Sequence, residues 1–204
     1  MTRSLLLLGF GVSLMMLLVG AGALVFLRKP PKPALPLLYP VPHFSLTDEK
    51  GQTFSSAEKL SGKVWVGNFV FTRCPTICPL FTRKMAEVQT AAQPFRDRVR
   101  LVSFTVDPKH DTPEVLKIYA QKYQAVPGLW SFVTGTHDEL KKVIVGDLKI
   151  SMSDQSDDIM AIAHGGHFVL VDARMNIRGY YNSEDADAVA RLQADLKNVV
   201  EESR

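Results

Sequence analysis

Cysteine is scarce in this chain: its 204 residues contain two, Cys74 and Cys78. Neither lies near the N-terminus, which excludes an anchor made there by a lipidated cysteine. No proline follows Pro127, so the C-terminal stretch cannot contain a cis-proline turn. An excess of one charge is lacking too. Lys and Arg number 24 against 21 Asp and Glu, a net charge of +3. These charges are scattered, with no basic stripe interleaved with aromatics, which argues against nucleic acid as a partner. No internal repeat is present. What remains is enough chain for one domain of ordinary size with a real core.

The N-terminus is the exception to ordinary composition. Leu5 to Leu27 carries no charge and is rich in Leu, Val, Met and Gly. At ~1.5 Å per residue a helix over this run spans roughly 34 Å, against a hydrocarbon core of ~30 Å. Residues 1–27 are therefore expected to form one transmembrane anchor. A cleaved signal peptide is the competing reading, with Ala21-Gly22-Ala23 as its small-residue site. The apolar run continues past that site through Leu24-Val25-Phe26-Leu27, which favours the anchor. Arg3 precedes the run while Arg28, Lys29 and Lys32 follow it, so flanking charge does not settle the topology. Residues 28–40 are a proline-rich linker of stiff, extended character, and residues 41–204 are the folded domain.

The domain is organised around Phe69-Val70-Phe71-Thr72-Arg73-Cys74-Pro75-Thr76-Ile77-Cys78-Pro79. The apolar run Val64 to Phe71 reads as a buried central strand, and the pattern Leu80 to Ala92 as a helix. Pro79 is tolerated in a first turn and not deep in a helix. Cys78 is then expected near the N-cap and Cys74 on the loop before it. Both sulfurs would face the positive end of the helix dipole, which favours thiolate. The bland alternative is a structural disulfide or two small buried hydrophobes. Two intervening residues would be the redox motif. Three leave two soft donors free to close on a metal, and thiolates select Cu(I), zinc or iron–sulfur clusters.

Along the rest of the domain, Phe44 to Phe54 reads as a hairpin turning at Asp48-Glu49-Lys50-Gly51. Val99 to Val106 is a second buried strand. Asp111-Thr112-Pro113-Glu114 starts a helix that runs to about Tyr123. Trp130 to Thr134 is a short strand and Thr136 to Val145 a helix. Phe168 to Asp172 and Ile177 to Tyr181 form a hairpin. Glu184 to Val200 is an amphipathic helix with Val189, Leu192, Leu196 and Val199 on one face. This order predicts an α/β thioredoxin-like sandwich with an extra N-terminal hairpin, built on a parallel βαβ pair. Gly146 to Ala163 is polar, acidic and unperiodic, a long loop of the kind that carries function.

That loop ends at His164-Gly165-Gly166-His167. In a thioredoxin-like sandwich this segment lies against the cysteine turn, where redox members usually carry a cis proline. Here His164 or His167 takes its place. Two thiolates and an imidazole suit copper best; zinc would usually want a fourth ligand. Met152 and Met160 are further soft donors on the loop, though a single methionine more often fills a core. His43, His110 and His137 have no motif around them and are expected at the surface.

These residues resemble the Sco (SenC) family of copper chaperones for cytochrome c oxidase. The resemblance rests on Phe71 to Pro79, on Val102-Ser103-Phe104-Thr105-Val106-Asp107-Pro108 with Asp111-Thr112-Pro113, and on His164 four residues before Phe168-Val169-Leu170-Val171-Asp172. It covers about residues 41 to 202. It implies copper, as Cu(I) or Cu(II), bound by Cys74, Cys78 and His164. It implies a single-pass anchor in the inner membrane with the domain on the periplasmic side. It implies assembly of the dinuclear copper centre of oxidase subunit II as the task, with a copper donor protein as a further partner. It also puts Asp107 near the metal, where it would orient a ligand or a partner. Gly165-Gly166-His167 departs from the family pattern, so His167 stays the alternative ligand.

Two functions of different class follow. One is a membrane-tethered copper chaperone. The other is a thiol–disulfide oxidoreductase that reduces the cysteines of the client's copper site. The absent late proline and the wider cysteine spacing favour the chaperone. A peroxidase of related fold would need Thr72 and Arg73 to serve Cys74, and is the weakest of the readings.

Overall fold

The computed structural model describes residues 34–74, 77–152 and 166–203. The expected anchor at 1–27, most of the linker, Met160 and His164 lie outside the described residues. Among the described residues no helix is long and apolar enough to cross a membrane.

The strands are β1 (Ser45–Asp48), β2 (Thr53–Ser55), β3 (Val64–Val70), β4 (Val99–Thr105), β5 (Trp130–Thr134), β6 (His167–Val171) and β7 (Ile177–Asn182). The helices are α1 (Ser56–Lys59), α2 (Ile77–Ala92), α3 (Pro113–Lys122), α4 (His137–Lys141) and α5 (Ala188–Glu202). The strands form one seven-stranded sheet in the order β2-β1-β5-β4-β3-β6-β7. Its centre, β3-β4-β5, is parallel; β1, β2, β6 and β7 pair antiparallel. The expected α/β thioredoxin-like architecture with an N-terminal hairpin is therefore what the chain adopts.

Strand β3 shows why its sequence is an unbroken apolar run. All seven of its residues are buried, because both faces of the sheet are covered. Val64, Val66 and Val70 pack toward α2, α3 and α5, against residues such as Met85, Leu116 and Leu196. Trp65 and Phe69 pack on the other face with Phe44, Phe54, Phe104 and Ile144. Gly67 suits that second layer: a Cβ there would meet the Trp65 ring at 3.3 Å and Phe104 at 3.4 Å, a tight contact. The one polar residue in the run, Asn68, accepts the Ser103 hydroxyl at 2.6 Å, and Ser103 Oγ accepts the Trp130 indole N–H at 2.9 Å. These bonds satisfy Asn68 Oδ1, the Ser103 hydroxyl and the Trp130 N–H, while Asn68 Nδ2 is buried without a partner among the described residues.

Three element boundaries differ from the sequence expectation. Helix α2 starts at Ile77 and not at Leu80, so Cys78 lies inside the first turn. Pro79 still fits there, since the first-turn N–H groups have no intrahelical partner. The expected helix over Thr136 to Val145 is a short α4, capped by Thr136 and Glu139 reciprocally, followed by a π-helical turn at Lys142–Asp147. Helix α5 starts at Ala188 rather than Glu184. The Asn182 side chain accepts the Glu184 N–H at 3.0 Å, a local turn that competes with helix. By contrast, Thr112 caps α3 through the Val115 N–H, with Pro113 in the first turn as expected.

Residues 35–41, which the composition assigns mostly to the linker, run along β7. Leu38 N–H donates to Ile177 O, Ile177 N–H to Tyr39 O and Val41 N–H to Met175 O, at 2.9, 2.8 and 2.7 Å. Arg178, 8% exposed at its side chain, holds the start of this segment. It donates to Leu35 O at 2.7 Å and Pro36 O at 3.2 Å, and pairs with Glu202 at 2.8 Å and Asp172 at 3.4 Å.

Candidate metal centre

Strand β3 ends at Val70, and the chain turns through Phe71-Thr72-Arg73-Cys74 before entering α2. Cys74 N–H donates to Phe71 O at 3.3 Å, closing a tight turn. Cys74 and Cys78 are 5% and 2% exposed and are not disulfide-bonded. The Cys78 N–H points at Cys74 Sγ, 3.4 Å away. The two thiols thus face each other over the first turn of a helix, within the apolar cluster that includes Phe69, Phe71 and Val106. Met152 packs against the same cluster.

The helix start alone predicts easy ionisation; burial reverses this for Cys78. Desolvation is the largest influence and pushes its thiol up to about 12, with the neighbouring Cys74 adding to the rise and a backbone hydrogen bond to Phe71 opposing it. A group in apolar surroundings keeps its proton unless a cation compensates the charge. A metal ion supplies that compensation. So the thiol pair is a poor free nucleophile at Cys78 and a dry, soft donor set. Behind it, Thr82 Oγ1 donates to Cys78 O at 2.8 Å and shares a hydrogen bond with Tyr119 Oη at 2.9 Å, which fixes the Cys78 main chain from the α3 side.

A carboxylate network fixes the other end of the turn. Asp111, 0% exposed, accepts the Thr72 hydroxyl at 2.6 Å, the Thr72 N–H at 3.2 Å and the Thr105 hydroxyl at 2.6 Å. Burial raises its pKa, and the bonds from Thr105 and Thr72 oppose the rise. Thr105 Oγ1 also accepts the Asp107 N–H at 3.0 Å. Asp107 in turn pairs with Arg73 through Nε at 2.9 Å and Nη2 at 2.8 Å, and with His110 Nδ1 at 2.9 Å. Asp107 is thus held against the residue that precedes Cys74.

The sequence singled out Cys74, Cys78 and Asp107; the fold brings the two cysteines together at the start of α2 and ties Asp107, on the loop after β4, to Arg73 beside Cys74. It missed Asp111 and Thr82 as supports, and gave Thr72 and Arg73 a role only in a peroxidase. His110, expected at the surface without a role, is half-buried on Asp107; His43 is exposed and His137 half-buried. The available signal was weak. Thr72 and Arg73 adjoin Cys74, but their partners lie 39 and 34 positions away. The candidate third ligand, His164, is outside the described residues, and among those described no group of three metal-ligating side chains gathers. His167 opens β6, half-buried and opposite Asn182. Strand β6 runs antiparallel to β3 with Gly67 opposite Val169. Extending that register brings His167 level with Phe69, at the strand end that leads into the cysteine turn.

The SCO1 protein homologue of Bacillus subtilis (strain 168) is 31% identical over 164 residues, 80% of this chain and 84% of that protein. The structure of BsSco is described as that of a member of the Sco family of cytochrome c oxidase assembly proteins with a disulfide switch. It is 29% identical and covers 82% of this chain and 98% of its own, with a TM-score of 0.71. The structure of Bradyrhizobium japonicum ScoI with copper bound is 25% identical and covers 78% of this chain and 98% of its own, with a TM-score of 0.65. The SCO1/SenC family model matches residues 39–201, a span that takes in the cysteine turn, the Asp107 and Asp111 loop and both candidate histidines, and on that match the chain belongs to the SCO1/SenC family.

Proposed function

We propose that this protein is a membrane-anchored copper chaperone. It takes one copper ion on Cys74, Cys78 and His164 and delivers it to the dinuclear copper centre of cytochrome c oxidase subunit II. The observation that carries this reading is the buried, unoxidised thiol pair, with the Cys78 N–H 3.4 Å from Cys74 Sγ. Two soft donors already face each other in a dry turn, so a soft ion meets little reorganisation on entry. The copper-bound relative supports the choice of metal. Copper as cargo stabilises the thiolates electrostatically, and the thiol protons leave to solvent on loading. Asp111 and Thr82 hold the two ends of the turn, so the sulfur separation is set by the fold. Asp107, with Arg73 and His110, forms the polar rim that would orient a ligand or the client. Outside the described residues, the apolar run 5–27 would anchor the chain in the inner membrane, single-pass. The domain would stand on the periplasmic side, able to receive copper from a donor protein.

A thiol–disulfide oxidoreductase is the second reading, favoured by the adjacency of the two sulfurs and by the disulfide switch described for BsSco. One comparison separates the two. His164→Ala removes an imidazole that metal binding needs and thiol exchange does not. Under the chaperone reading this variant binds copper far more weakly and fails to support oxidase assembly in cells, while Cys74 and Cys78 still oxidise and reduce. If assembly survives His164→Ala and fails with Cys74→Ser, the oxidoreductase reading replaces it. If His167→Ala is the damaging change, His167 is the ligand.

A further inference from the structure

A second polar feature lies at the opposite end of the central strands. Arg100 is level with Trp65 at the start of β4, whereas the cysteine turn follows the other end, where Val70 pairs with Thr105. At ~3.3 Å per residue the two positions are about 17 Å apart along the strand. Around Arg100, the β1–β2 hairpin turn, the end of α1 and the start of β5 enclose a cleft of about 100 Å³. Asp48, Lys50, Gln52, Lys59, Arg100 and Ser131 are the polar side chains that line it.

The charge of this cleft is unbalanced. Arg100 spends Nη1 on the carbonyls of Arg96 and Val99, at 2.6 and 2.7 Å. Its Nε and Nη2 have no acceptor, and it has no ion pair, among the described residues. Partial burial pushes its pKa down, opposed by the Asp97 carboxylate and reinforced by Arg96, as expected for a cation that loses hydration. Lys59 makes no ion pair or hydrogen bond among the described residues. The nearest carboxylate to Lys50 is Glu49, at 4.0 Å, and that group accepts the Phe132 N–H at 3.1 Å. The one carboxylate in the cleft, Asp48, turns Oδ1 onto the Lys50 and Gln52 N–H groups, both at 2.9 Å. Three cations therefore share the cleft with a single acid that is engaged by the hairpin turn.

We infer that this cleft binds a phosphate-type dianion, either free inorganic phosphate or the phosphoryl group of a larger molecule, through Arg100, Lys50 and Lys59. A dianion matches the excess of cations over acid. The free Nε and Nη2 edge of Arg100 is the fork that takes two oxygens of one anion. Gln52 and Ser131 add neutral hydrogen-bonding groups. The size fits one small group: at ~30 Å³ per water the cleft holds about three waters, which suits a tetrahedral oxyanion. The site is separate from the thiol pair, so this second binding activity stands whether or not copper is the cargo.

The test is thermal unfolding of the full-length chain at pH 7.5, where phosphate is mostly dianionic. Inorganic phosphate and glycerol 3-phosphate are titrated against sodium chloride at matched ionic strength. Wild type should show a saturable rise in Tm with phosphate and none with chloride. Lys59→Gln removes an exposed side chain that makes no hydrogen bond or ion pair among the described residues, so the variant should fold normally and need roughly tenfold more phosphate for the same rise. Arg100→Lys keeps the charge without the fork and should also weaken binding. Response to both phosphates identifies the phosphoryl group as the ligand feature; response to one alone assigns the free ion or the larger molecule as the source. An equal rise in Lys59→Gln and wild type, or no rise beyond that of chloride, overturns the site.

Discussion

The Asp111 carboxylate accepts the Thr72 hydroxyl at 2.6 Å across 39 positions of sequence. Thr72 is two residues before Cys74, and Asp111 follows β4, the parallel neighbour of β3. One buried acid thereby joins the cysteine turn to the loop beyond the adjacent strand, and a second bond from Thr105 at 2.6 Å fixes the acid itself. The placement of Cys74 is a property of two strands and not of its own turn alone.

Replacing Asp111 should therefore damage the turn. Asp111→Ala strands the Thr72 N–H and two hydroxyls, at a cost of about 2–4 kcal/mol, and should broaden the spectroscopic signature of bound copper. Asp111→Asn keeps the shape and should cost less. A pH dependence goes with it. The folded pKa of Asp111 is raised, so the native state binds a proton more readily than the unfolded chain. This residue's contribution is unfavourable above its folded pKa and is relieved as pH falls through it. The stability advantage of wild type over Asp111→Asn should accordingly grow from pH 7.5 to pH 4.5 in chemical denaturation of the metal-free protein. A constant difference would show that the carboxylate keeps an ordinary pKa.

Loading should release protons. With the Cys78 thiol pushed up to about 12, that group is protonated at neutral pH in the metal-free chain, and binding must displace its proton. Apparent copper affinity should rise about tenfold per pH unit for each proton released. Calorimetry in buffers of different ionisation enthalpy counts the protons. A count below one per copper would exclude Cys78 as a thiolate ligand.

Oxidation should close the site. Forming the Cys74–Cys78 disulfide removes two electrons and two protons from the thiols, and diamide can accept both. The sulfur electron pairs are then no longer available as thiolate donors. The oxidised protein should bind copper weakly, and a thiol reductant should restore binding. Unchanged affinity after mass spectrometry has verified the disulfide would remove redox control from the mechanism.

The segment before β1 should behave as part of the domain from Leu35 onward. Arg178→Met breaks its contacts to Leu35 O and Pro36 O and leaves Asp172 without its buried partner, at roughly 3 kcal/mol. Glu202 is more exposed and contributes less. Limited proteolysis should then cut between residues 35 and 41 in the variant and not in wild type. A fragment 35–204 should also unfold at a higher temperature than 42–204. Equal Tm values would mean that the β7 contacts of this segment carry no stability.

Local sequence determined a large part of this protein. The unbroken apolar run of β3 required a sheet covered on both faces. Thr112-Pro113 fixed the start of α3 because a cap and a proline act within one turn. The Cys-x-x-x-Cys spacing after a strand put both thiols at a helix start, whatever the rest of the chain did. Tertiary structure decided the remainder. Whether Cys78 ionises depends on the Phe69, Phe71 and Val106 cluster around it, and desolvation there outweighs the helix dipole that the motif predicts. Asp111 reads as a helix-start residue until the parallel pairing of β3 with β4 carries it to Thr72. Residues 35–41 read as linker because their prolines describe stiffness. Their docking depends on Arg178 and on the free edge of β7, more than a hundred positions away, and no local pattern encodes an edge that the order of strands alone leaves open.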